Sequence, residues 1–182
     1  NTHNDEESQL LPIIKNLLDN NKNMRIIIAP RHPERANKIT SLCSHYNLSS
    51  NLESALNKHK KNILIINSFG NLSNYYLLSD IVFLGGSLVS SGGHNPIEPA
   101  TQKCVIITGP IIYNWENTFH EMIDKKACII IKSISELKKN LEDLINDSNK
   151  RDIIKDNAYT FAKKQFVDTK IIEKTINNEI KI

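Results

Sequence analysis

The chain has 182 residues, 40% apolar and 24% charged, with a formal net charge of +3. That length suffices for one domain with a full core, and the composition is that of an ordinary globular protein rather than a disordered or fibrous one. The charge is too small to argue for nucleic acid, and Lys interleaves with Asp and Glu as on solvated helix faces.

In chain order, residues 5–20 carry Leu10, Ile13, Ile14, Leu17 and Leu18 at helical spacing, with Pro12 predicting a kink or a helix start nearby. Residues 24–30 read as a buried strand and 34–46 as a helix. The pattern then repeats: strand 62–66, helix 72–79, strand 80–84, helix 95–103, strand 104–108, helix 115–125, strand 128–131. Helical patterns follow near 135–145, 152–165 and 169–180. The strands are short, β-branched and not alternating, as in a parallel sheet covered on both faces. The expected fold is α/β, a Rossmann-like doubly wound parallel sheet in a single domain over residues 1–182, with a helical tail from about residue 133. Ligands bind such sheets at the carboxyl ends of the strands.

Cys43, Cys104 and Cys128 are far apart and form no CxxC, which argues against zinc or disulfides and fits a reducing compartment. No apolar run approaches the roughly 20 residues of a membrane span, and no signal peptide is present. The chain begins at Asn1 rather than Met, as a fragment or a processed piece would.

Chemistry concentrates in one run. Four of six glycines fall within Gly85-Gly86-Ser87-Leu88-Val89-Ser90-Ser91-Gly92-Gly93-His94, between an apolar strand and a helix start. Such a loop is expected to cradle an anion on its backbone N–H groups, with Ser87, Gly92, Gly93 and His94 as phosphate or sugar contacts. It is neither GxGxxG nor a P-loop. Next, Asn95-Pro96-Ile97-Glu98 has a preferred N-cap, Pro at the first helical position and Glu at the third, a capping-box pattern. Glu98 either completes that cap or accepts hydrogen bonds from a ribose diol. Pro30 and Arg31 follow a strand, where a guanidinium suits phosphate or carboxylate. Ser68-Phe69-Gly70-Asn71 follows another, where Phe69 and Gly70 suit a backbone platform for a base. Thr2, His3, Glu6 and Glu7 read as the polar start of the first helix, its acids favoured by the dipole.

Taken together, these motifs resemble the carboxyl-terminal half of the 3-deoxy-D-manno-octulosonic acid (Kdo) transferases, glycosyltransferases of lipopolysaccharide biosynthesis. The resemblance rests on Thr2-His3 with Glu6-Glu7, on Pro30-Arg31-His32-Pro33-Glu34-Arg35, on Gly85-Gly86-Ser87-Leu88-Val89, on Gly92-Gly93-His94-Asn95-Pro96-Ile97-Glu98, and on Thr108-Gly109-Pro110 with Asn114. It implies the C-terminal half of a GT-B fold that binds CMP-Kdo. CMP contacts would fall on Pro30, Arg31, Phe69, Gly70, Asn71, Asn95, Pro96, Ile97 and Glu98. The family usually has Glu where this chain has Asn71. Its general base is a glutamate of the amino-terminal acceptor domain, so no catalytic residue is expected in this chain, which alone would be soluble and inactive. Neither a metal nor another cofactor is expected, and nucleic acid is not an expected partner. The acceptor implied is a lipid A precursor, and the full-length enzyme would associate, through its amino-terminal half, with the cytoplasmic face of the bacterial inner membrane. Other readings of the residues are another GT-B transferase, a UDP-sugar epimerase domain, or a nucleotide-binding module without chemistry.

Overall fold

The computed structural model describes residues 1–55, 61–70 and 72–165. Helix α1 (Glu6–Asn20) leads into β1 (Ile26–Ile28), a 3-10 turn at Pro33–Arg35 and α2 (Ala36–His45). Next come β2 (Ser50–Leu52), a 3-10 turn at Glu53–Ala55, β3 (Ile63–Ile65), α3 (Leu72–Leu77) and β4 (Ile81–Leu84). The remainder is α4 (Ile97–Thr101), β5 (Val105–Thr108), α5 (Glu116–Asp124), β6 (Ile129–Ile130), α6 (Ile134–Asn146) and α7 (Ser148–Gln165).

Among the described residues all ladder pairings are parallel, but they form two three-stranded sheets, β1-β3-β2 and β4-β5-β6, where the sequence predicts one. The amino-terminal segment lies between their carboxyl ends. Thr2 N–H donates to Ala29 O at 3.1 Å and Arg31 N–H to Thr2 O at 2.9 Å, a parallel bridge beside β1. On the other side, the Asn1 and Thr2 backbone packs against Gly85, just after β4.

Helices cover both faces, as the doubly wound expectation requires. The reason is legible in β5, all four of whose residues are buried. Neighbouring side chains of a strand point to opposite faces. Ile106 joins Leu84, Phe119, Met122 and Phe161, whereas Val105 and Ile107 join Ile13, Leu17, Leu137 and Leu144. A third cluster packs Leu11 and Leu18 against Ile28, Ile39, Cys43, Ile63 and Ile65. Helix α1 therefore contributes to both halves, Leu11 and Leu18 to the first sheet, Ile13 and Leu17 to the second. Each such fully buried side chain contributes about 2 kcal/mol.

Strand β2 escapes the sequence reading because Ser50 and Asn51 make it neither apolar nor alternating, and it pairs with β3 at the edge of its sheet. Helix α1 runs through the exposed Pro12. The Ser8 carbonyl, which Pro12 cannot reach with an N–H, accepts from Tyr46 Oη at 3.4 Å. The cysteines are buried and unpaired, and burial pushes the Cys104 thiol up to about 11 and Cys128 to about 12, so they act as small core residues. Among the described residues no helix is long and apolar enough to cross a membrane. The predicted helix at 169–180 lies outside the described residues.

Candidate functional site

The glycine run folds in two parts with different fates. In the first, Gly86 has φ 68°, a left-handed conformation natural to glycine, and this turns the next N–H groups inward. The N–H groups of Gly86, Ser87 and Leu88 converge as an anion cradle should, and the anion is the chain's own Glu6. Its Oε2 accepts from Gly86 at 2.7 Å and from the His3 N–H at 2.9 Å. Its Oε1 accepts from Ser87 at 3.1 Å and Leu88 at 3.0 Å. Glu6 is 0% exposed. The cradle expected for phosphate is thus closed from inside. Ser87 is likewise excluded as a ligand contact, because it is fully buried, donates from Oγ to Leu84 O at 2.6 Å and accepts the Gly109 N–H at 2.8 Å.

Glu7 and Arg35 complete this lock. Arg35 Nη2 lies 2.7 Å from Glu7 Oε2, and Thr2 Oγ1 donates to Glu7 Oε1 at 2.6 Å. Arg35 Nη1 also donates to Thr2 O at 3.1 Å. The sequence reads Glu6 and Glu7 as dipole-favoured acids of a polar helix start, and the structure buries both. The signal that places them inward is periodic: Glu6 precedes Leu10, Ile13 and Leu17, and Glu7 precedes Leu11 and Leu18, on the apolar stripe of α1.

The second part is open. Gly93 N–H donates to Gly86 O at 2.8 Å, and the backbone of Gly92 accepts from the Asn114 N–H at 3.1 Å. Asn114 Nδ2 donates to Ser91 O at 2.9 Å, and Tyr113 Oη to Ser90 O at 3.0 Å, so the loop after β5 clamps the glycine run. Gly92 and Gly93 are buried, and His94 stands partly exposed beyond them. His94 Nε2 lies 3.0 Å from His3 Nε2, the rings nearly parallel with centroids 5.1 Å apart. Burial first, with His3 and Arg31 nearby acting in the same direction, holds His94 down at about 4. Burial also lowers His3.

Asn95 caps, but not as a box. Its Oδ1 accepts the Ile97 N–H at 2.9 Å, while Glu98 is exposed and makes no hydrogen bond back to Asn95 among the described residues. The cap-only reading therefore fails for Glu98, whose carboxylate stays available to a ligand. Pro96 is buried and Ile97 half-buried at the start of α4. Pro30 is buried against Thr2, and Arg31 is exposed with no ion pair among the described residues. Arg31, His3, His94 and the start of α4 thus gather where β1 and β4 end. Phe69, 75% exposed, and Gly70 follow β3. They are steadied from the side: Ser68 Oγ and Tyr75 Oη donate to Glu53 at 2.6 and 2.5 Å. Asn71 lies outside the described residues.

Curated relatives and solved structures match this arrangement. The 3-deoxy-D-manno-octulosonic acid transferase of Haemophilus influenzae is 31% identical over 161 residues, 87% of this chain and 38% of that protein. The enzyme of the same description in Rickettsia bellii is 36% identical over 154 residues, 84% of this chain and 37% of the relative. The crystal structure of the C-terminal CMP-Kdo binding domain of WaaA from Acinetobacter baumannii superposes with a TM-score of 0.81 at 27% identity, covering 88% of this chain and 84% of that one. The chain belongs with the carboxyl-terminal domains of the Kdo transferase family. It spans well under half the length of these full-length transferases. No protein-family profile matches it. The fold also recurs, with a TM-score of 0.58 at 19% identity, in the C-terminal domain of a group 1 glycosyl transferase of Francisella tularensis.

Proposed function

We propose that this chain is the donor-binding domain of a transferase that moves Kdo from CMP-Kdo to a lipid A precursor. The observation that carries the reading is the open corner where β1 and β4 end, its charge the exposed Arg31 guanidinium. Arg31 and His94 flank the start of α4, and Glu98 is free beside it. The Acinetobacter domain, named for CMP-Kdo binding, supports the same ligand here.

In this reading Glu98 accepts the ribose hydroxyls and Phe69-Gly70 carry the base. Arg31 faces the phosphate and stabilises the charge that builds on CMP as the bond to the sugar breaks. The N–H groups of Gly86, Ser87 and Leu88 take no part, since Glu6 holds them. The acceptor hydroxyl is deprotonated by a carboxylate of a separate, amino-terminal domain. No metal is invoked, because a guanidinium at the phosphate supplies the charge. The acceptor's membrane places the whole enzyme at the cytoplasmic face of the inner membrane.

Calorimetric titration tests this. CMP should bind and UDP should compete at least about tenfold more weakly, about 1.4 kcal/mol. Arg31→Ala and Glu98→Ala should each weaken CMP. Unchanged CMP affinity in both variants removes the site, and preference for UDP removes the donor. The chain alone should transfer no Kdo.

A further inference from the structure

The Ser91–His3–His94 row is not used by the nucleotide. Ser91 Oγ lies 3.3 Å from His3 Nδ1, and His3 Nε2 lies 3.0 Å from His94 Nε2. Gly86 makes the meeting possible, because a Cβ there would come within 3.3 Å of both rings. Two imidazole nitrogens at that distance share one proton, so one donates and the other accepts. With His94 Nε2–H donating to His3, His3 Nδ1–H donates to Ser91, and the remaining nitrogen, His94 Nδ1, is a bare lone pair. It has no hydrogen-bond partner among the described residues.

The surroundings select for negative charge. Arg31 and His3 face His94, while His32 and Arg35, the latter paired with Glu7, face His3. Among the described residues the one acid facing either ring is Glu6, and its oxygens are taken by four backbone N–H groups. Arg31 thus brings a positive charge beside the row, and among the described residues no free carboxylate stands against it. A nucleoside monophosphate brings a single phosphate, assigned above to Arg31 near the start of α4. In the chain His94 precedes the Asn95 cap, whereas Glu98, assigned above to the ribose, follows it. An anion there belongs to the transferred group.

We propose that the His3–His94 pair is the subsite for the carboxylate of the transferred sugar acid and takes up one proton when that carboxylate binds. The proton comes from solvent and goes to His94 Nδ1, which then donates to the carboxylate. The proton shared between the two Nε2 atoms stays in place, so His94 becomes an imidazolium without breaking the row. His3 is a positioning residue that fixes the ring of His94, and Ser91 fixes His3. A subsite that charges only when a carboxylate arrives favours sugar acids over neutral sugars. The inference rests on the donor-binding reading.

The test is calorimetry of freshly prepared CMP-Kdo at pH 6 in two buffers of different ionisation heat. Phosphodiester and carboxylate are both ionised there, so any proton taken up goes to the protein. Wild-type chain should take up about one proton, and His94→Gln should abolish the uptake. His94→Gln should also weaken CMP-Kdo about tenfold while leaving CMP within about twofold. His3→Gln should lower the proton count in the same direction. No proton uptake by the wild-type chain overturns the proposal and needs no variant that folds. Equal loss of CMP and CMP-Kdo in His94→Gln also overturns it, by moving the pair to the phosphate. If wild-type chain binds neither ligand, the donor-binding reading itself fails.

Discussion

The two ends of the glycine run look alike in sequence and do opposite things. At Gly85-Gly86 the N–H groups that a phosphate would seek are held by Glu6, and the loop is a joint between α1 and β4. At Gly92-Gly93 the chain is pinned from behind by Asn114 and presents His94 and the start of α4 outward. An anion cradle is a property of backbone geometry, and whether it serves a ligand depends on whether the fold supplies its own carboxylate.

The largest expected effect breaks the closed end. Glu6→Ala leaves buried N–H groups without acceptors and should cost about 3–5 kcal/mol, read as a lower urea midpoint. An unchanged midpoint would show that the joint is ornamental. Arg35→Ala strands the buried Glu7 carboxylate and should cost about 3 kcal/mol in the same measurement, with Glu7→Gln in that background recovering part of it. At the open end the costs shrink. Asn95→Ala removes the bond to the Ile97 N–H and should lower stability by about 1 kcal/mol.

Acid should act on His94. Its folded pKa of about 4 lies below the ordinary value of 6.5, so the unfolded chain binds more protons between them. Stability is therefore full above pH 6.5 and falls as pH drops towards 4, by on the order of 1 kcal/mol after allowance for solvent screening. His94→Gln should flatten that part of the profile, and an unaltered slope would assign the acid sensitivity elsewhere. Smallest of all, Glu98→Ala should leave the unfolding free energy from urea titration within about 0.5 kcal/mol of wild type, since the side chain is exposed. A large loss would turn Glu98 into a structural residue and close the second end too.

Strand–helix alternation was legible because β3, β4, β5 and β6 are apolar runs with nothing else to be. The break between β1 and β4 was not, because no residue pattern says which strands are neighbours. Strand β2 is held by its register on β3 rather than by its own Ser50-Asn51. Within the site, Arg31 and Asn95 could be placed because a loop guanidinium and an N-cap are local features. The partner of the glycine loop could not, since Glu6 meets Ser87 across 81 residues of chain. Nor could the contact between His3 and His94, which lie 91 positions apart.

The Ser87–Gly109 contact has a consequence in lineage rather than in energy. A Cβ added at Gly109 would sit 2.3 Å from Ser87 O, and the Gly109 N–H is already bound by Ser87 Oγ. Neither position can drift alone: a larger residue at 109 displaces the backbone at 87, and loss of the hydroxyl at 87 orphans the amide at 109. Homologous sequences should therefore change these two sites together or not at all, a correlated pair written into descent.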